Sequence, residues 1–542
     1  MPESLDVPNH PLPNPLPEYR ERRLSRRTLV ALFAILFLAA GVRIYDLARH
    51  PLWLDEYFSL LHSAGRGHNR LKHGASGVQT PPPDLLGLHS RAPYPEIWRG
   101  MVAAPDVHPP LFQICLRIWR DALGPIFGEG DAFIRSLAVI FGVASVAMMF
   151  DVVRLLHGVR PALWAALIMA LATPQLHWAQ DARPYTLLFT LLLGAIDAVV
   201  RLERFGPGKR RVIALALCTF AAGLTHYYGL PALAALGVYA AIRLRSMARA
   251  QAGTALLGGV ALFAIVWGPS LLIELRTAPS EASFLPDTTT PGHLARTLLR
   301  VALLPQRSLN EPSSQVIAVA CLGAVLYVLP LLMSRRRPDL LIWWFWMAGA
   351  LAAPLGLDLM HGWRQLEFLR YASVVILAFY PLIATALDGV RRPWLRHVLP
   401  AAAVMSCIIS LPRAYAETET PKPEFPYLAQ SLKAEAHPGD DVILFYHPYD
   451  GGYPLLWYMG LSWYARDAMP HTAVFVMGPP DERACEVIRR ARTVWSVALA
   501  TDPPLGDALA GRVRSRQTMG FNLPLVEKWD WPTTTSAPTT AP

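Results

Sequence analysis

The chain is 542 residues long, 53% hydrophobic and only 17% charged, with a mean hydropathy of +0.29. That balance excludes an ordinary soluble globular enzyme and matches a multi-span membrane protein. The formal net charge of +10 does not point to nucleic acid, because the arginines fall in short blocks between apolar runs, the pattern that orients membrane helices.

In chain order, residues 1–27 read as a disordered cytoplasmic leader. They are Pro-rich and polar, show no cleavable signal pattern, and end in Arg20, Arg22, Arg23, Arg26 and Arg27. Eleven apolar runs follow as candidate spans, near 28–46, 133–153, 162–179, 184–200, 211–225, 230–243, 253–274, 314–333, 339–357, 370–388 and 398–412. With a cytoplasmic N-terminus, every turn assigned to that side is basic. These turns hold Arg154 and Arg160; Arg201, Arg204, Lys209, Arg210 and Arg211; Arg243, Arg245 and Arg249; Arg335, Arg336 and Arg337; then Arg391, Arg392 and Arg396. The five cysteines, Cys115, Cys218, Cys321, Cys407 and Cys485, stand singly, and neither a disulfide framework nor a zinc-ligand spacing follows from them.

The first outer loop, 47–132, opens on Trp53-Leu54-Asp55-Glu56-Tyr57 and has a Gly/His/Pro-rich middle, 65–95, that reads as mobile. It ends in Asp106-Val107-His108-Pro109-Pro110-Leu111-Phe112, after which 113–123 reads as an interfacial helix with Trp119 at headgroup depth. Gln180-Asp181-Ala182-Arg183-Pro184-Tyr185 emerges on the same side, as does the polar corner Thr225-His226-Tyr227-Tyr228. Trp343, Trp344 and Trp346 read as anchors at the cytoplasmic interface. The long apolar runs then stop. Residues 413–530 alternate strand-like stretches (441–446, 472–477, 493–500) with helical ones (427–436, 482–492), the pattern of a small extracytoplasmic α/β domain, and 531–542 is a disordered Thr/Pro/Ala tail.

The motifs Trp53–Tyr57, Asp106–Phe112, Arg135-Ser136, Gln180–Tyr185 and Leu369-Arg370-Tyr371, in this order and on one side, resemble those of the GT-C membrane glycosyltransferases. Within them the chain is most similar to glycosyltransferase family 39 and the Rgt-type lipopolysaccharide-core sugar transferases, relatives of protein O-mannosyltransferases and lipid A aminoarabinose transferases. The resemblance spans about 28–412 and implies a helical GT-C fold of about eleven spans. It also implies inverting transfer of a sugar from a polyprenyl-phosphate donor to a glycan, lipid or protein acceptor at the outer face of a bacterial inner membrane. The long 65–95 loop is idiosyncratic and Asp181 stands where many relatives carry Glu, so neither sugar nor acceptor is named by it.

Such a displacement requires a carboxylate to take the acceptor proton and cationic donors to stabilise the departing phosphate. Asp55 is the candidate base, matching the family's catalytic aspartate, and Glu56 the candidate to orient Asp55 or the acceptor. The plain alternative for the pair is a solvated turn or an interfacial helix cap. Asp106 and His108 are candidates for the sugar or acceptor pocket, and weaker ones for a divalent metal, which the sequence does not require. Asp181 is a candidate sugar or acceptor contact. Arg183 and Arg370 are the phosphate candidates, against a surface salt bridge and headgroup snorkelling respectively. Tyr185 and Tyr371 complete the candidate binding set, and His226 ranks low. A lipid-linked sugar carrier or flippase, or a scaffold presenting the outer domain, are the competing classes. A carrier should place its charges near the bilayer midplane, whereas here they fall at span ends.

Overall fold

The computed structural model describes residues 24–67, 77–81, 84–103, 108–281, 292, 295, 320–323, 325, 337–361, 365–367, 370–388, 390–416, 425–446, 453–476, 479–498, 508–518 and 525–532. The leader, most of the expected span 314–333 and the tail from 533 lie outside the described residues, as does Asp106.

Helix α1 (Arg26–Ile44) starts where Ser25 Oγ accepts from the Thr28 amide at 3.1 Å, and it leaves Phe33 and Phe37 exposed as a lipid-facing helix does. Helix α5 (Asp131–His157) ends at Gly158, whose φ of 91° turns the chain into α6 (Val159–Leu171). The expected span 162–179 is not straight. It is α6 followed by α7 (Thr173–Ala179), bent by 58°. Pro174 causes the break, because it has no N–H to give the Ala170 carbonyl four residues back. The buried Arg43 guanidinium supplies that proton, 2.8 Å from Ala170 O, and also donates to Met169 O at 3.2 Å. The following 180–184 corner then meets the 47–132 loop, at Asp55 and Glu56.

Helices α8 (Tyr185–Phe205), α9 (Lys209–Gly223), α10 (Gly229–Arg243), α11 (Ser246–Glu281), α12 (Leu341–His361) and α14 (Leu395–Ala416) follow the expected order. The run expected at 370–388 is helical only over α13 (Ile376–Thr385), with 370–375 in turns that bring Arg370 to the helix mouth. Among the described residues, six helices are long and apolar enough to span a membrane, or seven with the bent pair counted as one. Helices α10 and α12 approach closely at Gly349, where a Cβ would lie 2.5 Å from Ala235 Cβ and 2.7 Å from Pro231 O. Gly349→Ala should therefore cost about 1–3 kcal/mol by overpacking, seen as a lowered unfolding midpoint of the detergent-solubilised protein.

The 47–132 loop holds regular structure over its described residues, while 68–76 and 82–83 of the stretch expected to be mobile lie outside them. It carries α2 (Leu54–Ser63), the short strand β1 (Gly77–Gln79), α3 (Tyr94–Ala103) and the amphipathic α4 (Leu111–Phe127). Between them Asp84 accepts from the amides of His89 and Ser90, closing a turn beneath the buried Leu86 and Leu88.

Strand β1 joins a sheet built by the C-terminal region. That region runs α15 (Phe425–Glu435), β2 (Val442–Tyr446), α16 (Tyr453–Ala465), β3 (Thr472–Val476), α17 (Glu482–Arg490), β4 (Thr493–Ala498), β5 (Val513–Thr518) and β6 (Leu525–Asp530). The strand order is β1-β3-β2-β4-β6-β5. Central β2 runs parallel to β3 and β4, and the remaining pairs are antiparallel, with Gly77 opposite Phe475. One apolar core holds Leu52, Tyr57, Leu60, Leu88, Phe112 and Ile134 together with Phe425, Tyr458 and Trp463. The first loop and the C-terminal region therefore share an interior.

Candidate functional site

Helix α2 places Asp55 and Glu56 in its first turn, where carboxylates suit the helix dipole. The two side chains diverge. Asp55 is partly exposed, and its Oδ2 meets Arg370 Nη1 at 3.3 Å and Arg183 Nη2 at 3.7 Å. Arg183 is itself buried. Its Nη1 donates to Asp55 O at 2.9 Å and to Ser59 Oγ at 3.3 Å, while Nη2 lies 3.2 Å from His108 Nδ1. Three segments far apart in the chain thus set one carboxylate and two guanidinium groups at one point.

Glu56 points away from that point, as the neighbouring residue on a helix does. It is fully buried, and its Oε1 and Oε2 each lie 2.8 Å from Arg135, from Nε and Nη2 respectively. Oε1 also accepts from the Ala182 amide at 2.9 Å and Oε2 from the Trp53 amide at 3.2 Å. The second of these is half of a capping box, so the helix-cap alternative describes this residue. Arg135 further donates to the carbonyls of Leu47, His50 and Pro51. The pair therefore clamps α2, α5 and the 180–184 corner together.

An aromatic wall flanks Asp55. The His108 ring stands edge-on to His226 at 4.8 Å and to Tyr185 at 6.4 Å; His226 neighbours Tyr228 at 4.9 Å, and Tyr228 neighbours Tyr371 at 5.7 Å. The Arg370 guanidinium lies 5.1 Å from the Tyr371 ring centroid, within cation–π range. His226 Nδ1 accepts from the Tyr228 amide at 3.2 Å, which places the neutral ring's proton on Nε2. Tyr228 donates to Gln365 Oε1, and the buried Asp358 holds that residue by accepting from the Gln365 and Leu366 amides. Burial pushes the Tyr228 phenol well above its usual range, so it stays a hydrogen-bond donor. His226, ranked low from sequence, is therefore central to the wall with Tyr228 of the same polar corner, and Gln365 and Asp358 were not singled out.

Asp181 sits at the corner itself, near enough to Arg135 to act on its charge, and its carbonyl accepts from the Arg183 amide at 2.7 Å. Among the described residues no three His, Cys, Asp or Glu side chains gather as a metal site, and the guanidinium beside His108 opposes a cation there.

Among the described residues, six long apolar helices, the structured 47–132 loop and a C-terminal sheet define a multi-pass membrane protein of the GT-C fold. Its fold is similar to that of ArnT from Cupriavidus metallidurans in the apo state, with a TM-score of 0.52 at 13% identity over 93% of this chain and 98% of that one. The same protein bound to undecaprenyl phosphate gives the same figures. The Archaeoglobus fulgidus oligosaccharyltransferase, solved with Zn and sulfate, matches with a TM-score of 0.48 at 12% identity over 85% of this chain and 68% of its own. The Saccharomyces cerevisiae protein O-mannosyltransferase Pmt1-Pmt2 complex, bound to its sugar donor, matches 47% of this chain and 34% of its own at 15% identity and a TM-score of 0.34. No protein-family profile and no curated protein matches the chain.

Proposed function

We propose that the chain is an inverting glycosyltransferase that moves a sugar from a polyprenyl-phosphate donor to a cell-envelope acceptor at the outer face of a bacterial inner membrane. The observation that carries this reading is the convergence of Asp55, Arg183 and Arg370 at the mouth of the helices. The solution of the similarly folded ArnT with undecaprenyl phosphate supports the lipid class of the donor.

In this reading the two guanidinium groups bind the donor phosphate, and their closeness to Asp55 puts the anomeric carbon, one oxygen away, beside that carboxylate. Asp55 takes the acceptor hydroxyl proton as the acceptor oxygen bonds to the anomeric carbon. The bond from that carbon to the phosphate oxygen breaks, and the charge gathering on the phosphate meets Arg183 and Arg370. His108, Tyr185, His226, Tyr228 and Tyr371 form the wall against which the sugar rests, and Asp181 serves the acceptor side. Glu56 acts as a positioning residue.

Membranes supplied with a panel of radiolabelled polyprenyl-phosphate sugars should pass label to an acceptor only when Asp55 is intact. Equal transfer by the Asp55→Asn chain would remove Asp55 as the base. If neither chain transfers sugar while both move the lipid-linked donor across the bilayer, the carrier class is correct. Arg370→Gln removes a charge-assisted contact and should weaken binding of polyprenyl phosphate about 10- to 100-fold, read by equilibrium binding to the purified protein.

A further inference from the structure

Two neighbouring residues of α16, in the C-terminal region, reach the elements that hold Asp55. The Tyr464 hydroxyl accepts from the Leu52 amide at 2.7 Å, three residues ahead of Asp55, and donates to Asp131 Oδ2 at 2.8 Å. Trp463 Nε1 donates to Asp131 Oδ1 at 3.3 Å. Asp131 begins α5 and lies one helical turn before Arg135, the residue that grips Glu56. The two contacts of one phenol therefore meet the root of α2 from two sides: directly at Leu52, and at Asp131 in the first turn of α5, the helix that also carries Arg135, the partner of Glu56.

The phenol is itself held. The Trp463 ring stacks on His89 with centroids 4.7 Å apart and planes 6° from parallel, and Arg120 lies over it at 5.9 Å. Tyr57, two residues after Asp55, meets Phe425 of α15 edge-on at 6.3 Å within the shared core. A hydroxyl that both accepts from one partner and donates to another can hold a backbone amide in place with little play.

We infer that Tyr464 is a positioning residue for Asp55, and that the C-terminal α/β region braces the N-terminus of α2 instead of acting only as a separate acceptor-binding module. This inference rests on the transferase reading for its catalytic consequence, but its structural part does not. In Tyr464→Phe the ring remains and both hydrogen bonds go.

The test uses the full chain in lipid nanodiscs, with hydrogen exchange and transfer kinetics measured together. With Tyr464→Phe, exchange across residues 50–60 should speed up about tenfold while the unfolding midpoint changes little. The kcat should fall about 10- to 100-fold, the penalty of a slightly misplaced base, with the donor KM within about twofold. Asp131→Asn keeps an acceptor for the phenol and should lose less. Combined with Tyr464→Phe it should be no slower than Tyr464→Phe alone, because the hydroxyl that Asp131 holds is then already gone. Unchanged exchange over 50–60, or a rate loss that merely follows a loss of folded protein, would overturn the brace. Faster exchange in a chain whose unaltered form transfers no sugar would uphold the brace and sink the transferase reading instead.

Discussion

Transfer by the Asp55→Asn chain should fall about 10²- to 10⁴-fold, the usual contribution of a positioned general base. The substitution is isosteric, and an asparagine oxygen can still accept from Arg370, which lies 3.3 Å from Asp55 Oδ2 in the unaltered chain. The arginine pair should therefore stay in place, with affinity for polyprenyl phosphate within a few-fold and an unaltered unfolding midpoint. The defect should fall on kcat, because the proton is moved only in the reacting complex and ground-state binding does not use it. Initial rates at saturating donor, set beside lipid-phosphate binding, separate the cases. A change confined to KM would mean that Asp55 orders the guanidinium groups and leaves the proton to another group or to water.

The parts of this site legible in the sequence are those whose meaning is local or depends on sidedness. Asp55, Arg183 and Arg370 each stand at the end of an apolar run, and the basic turns between the runs assign them to one face, so their meeting could be expected. Glu56 was legible as a residue that orients Asp55 or the acceptor, but its partner was not, because Arg135 lies 79 residues away. The divergence arises from the angle of roughly 100° between successive helical residues, which turns one side chain into the protein and leaves the other at the mouth. Likewise the Tyr228 contact to Gln365 crosses 137 residues, and no spacing rule reaches that far. In the fold, the break at Pro174 had a visible cause, but a span-length apolar run concealed it. Strand β1 is three residues long and owes its conformation to pairing with β3, not to its own Gly-Val-Gln. The short apolar runs of β2, β3 and β4 stood out as strand-like, whereas α16 and the charged β5 and β6 were left unassigned within the α/β stretch.

The Glu56–Arg135 clamp leads to the second large effect, one on stability. Arg135→Met should destabilise the chain by about 3–5 kcal/mol, because it strands a buried carboxylate and removes the donor shared by the carbonyls of Leu47, His50 and Pro51. Glu56→Gln in the unaltered chain should cost less, about 1–3 kcal/mol, since one of its oxygens becomes an N–H group facing donors. The two together distinguish an ion pair from simple packing by sign. With Arg135→Met already present, Glu56→Gln removes the stranded charge and should restore stability, although alone it lowers it. Denaturant unfolding of the four proteins in mild detergent measures this directly. Independent, additive losses would mean that the pair fills space and that its charges do not hold α2. If the sign reverses as expected, the geometry of Asp55 is set by a desolvated pair one residue away, and both single variants should lose turnover beyond their loss of folded protein.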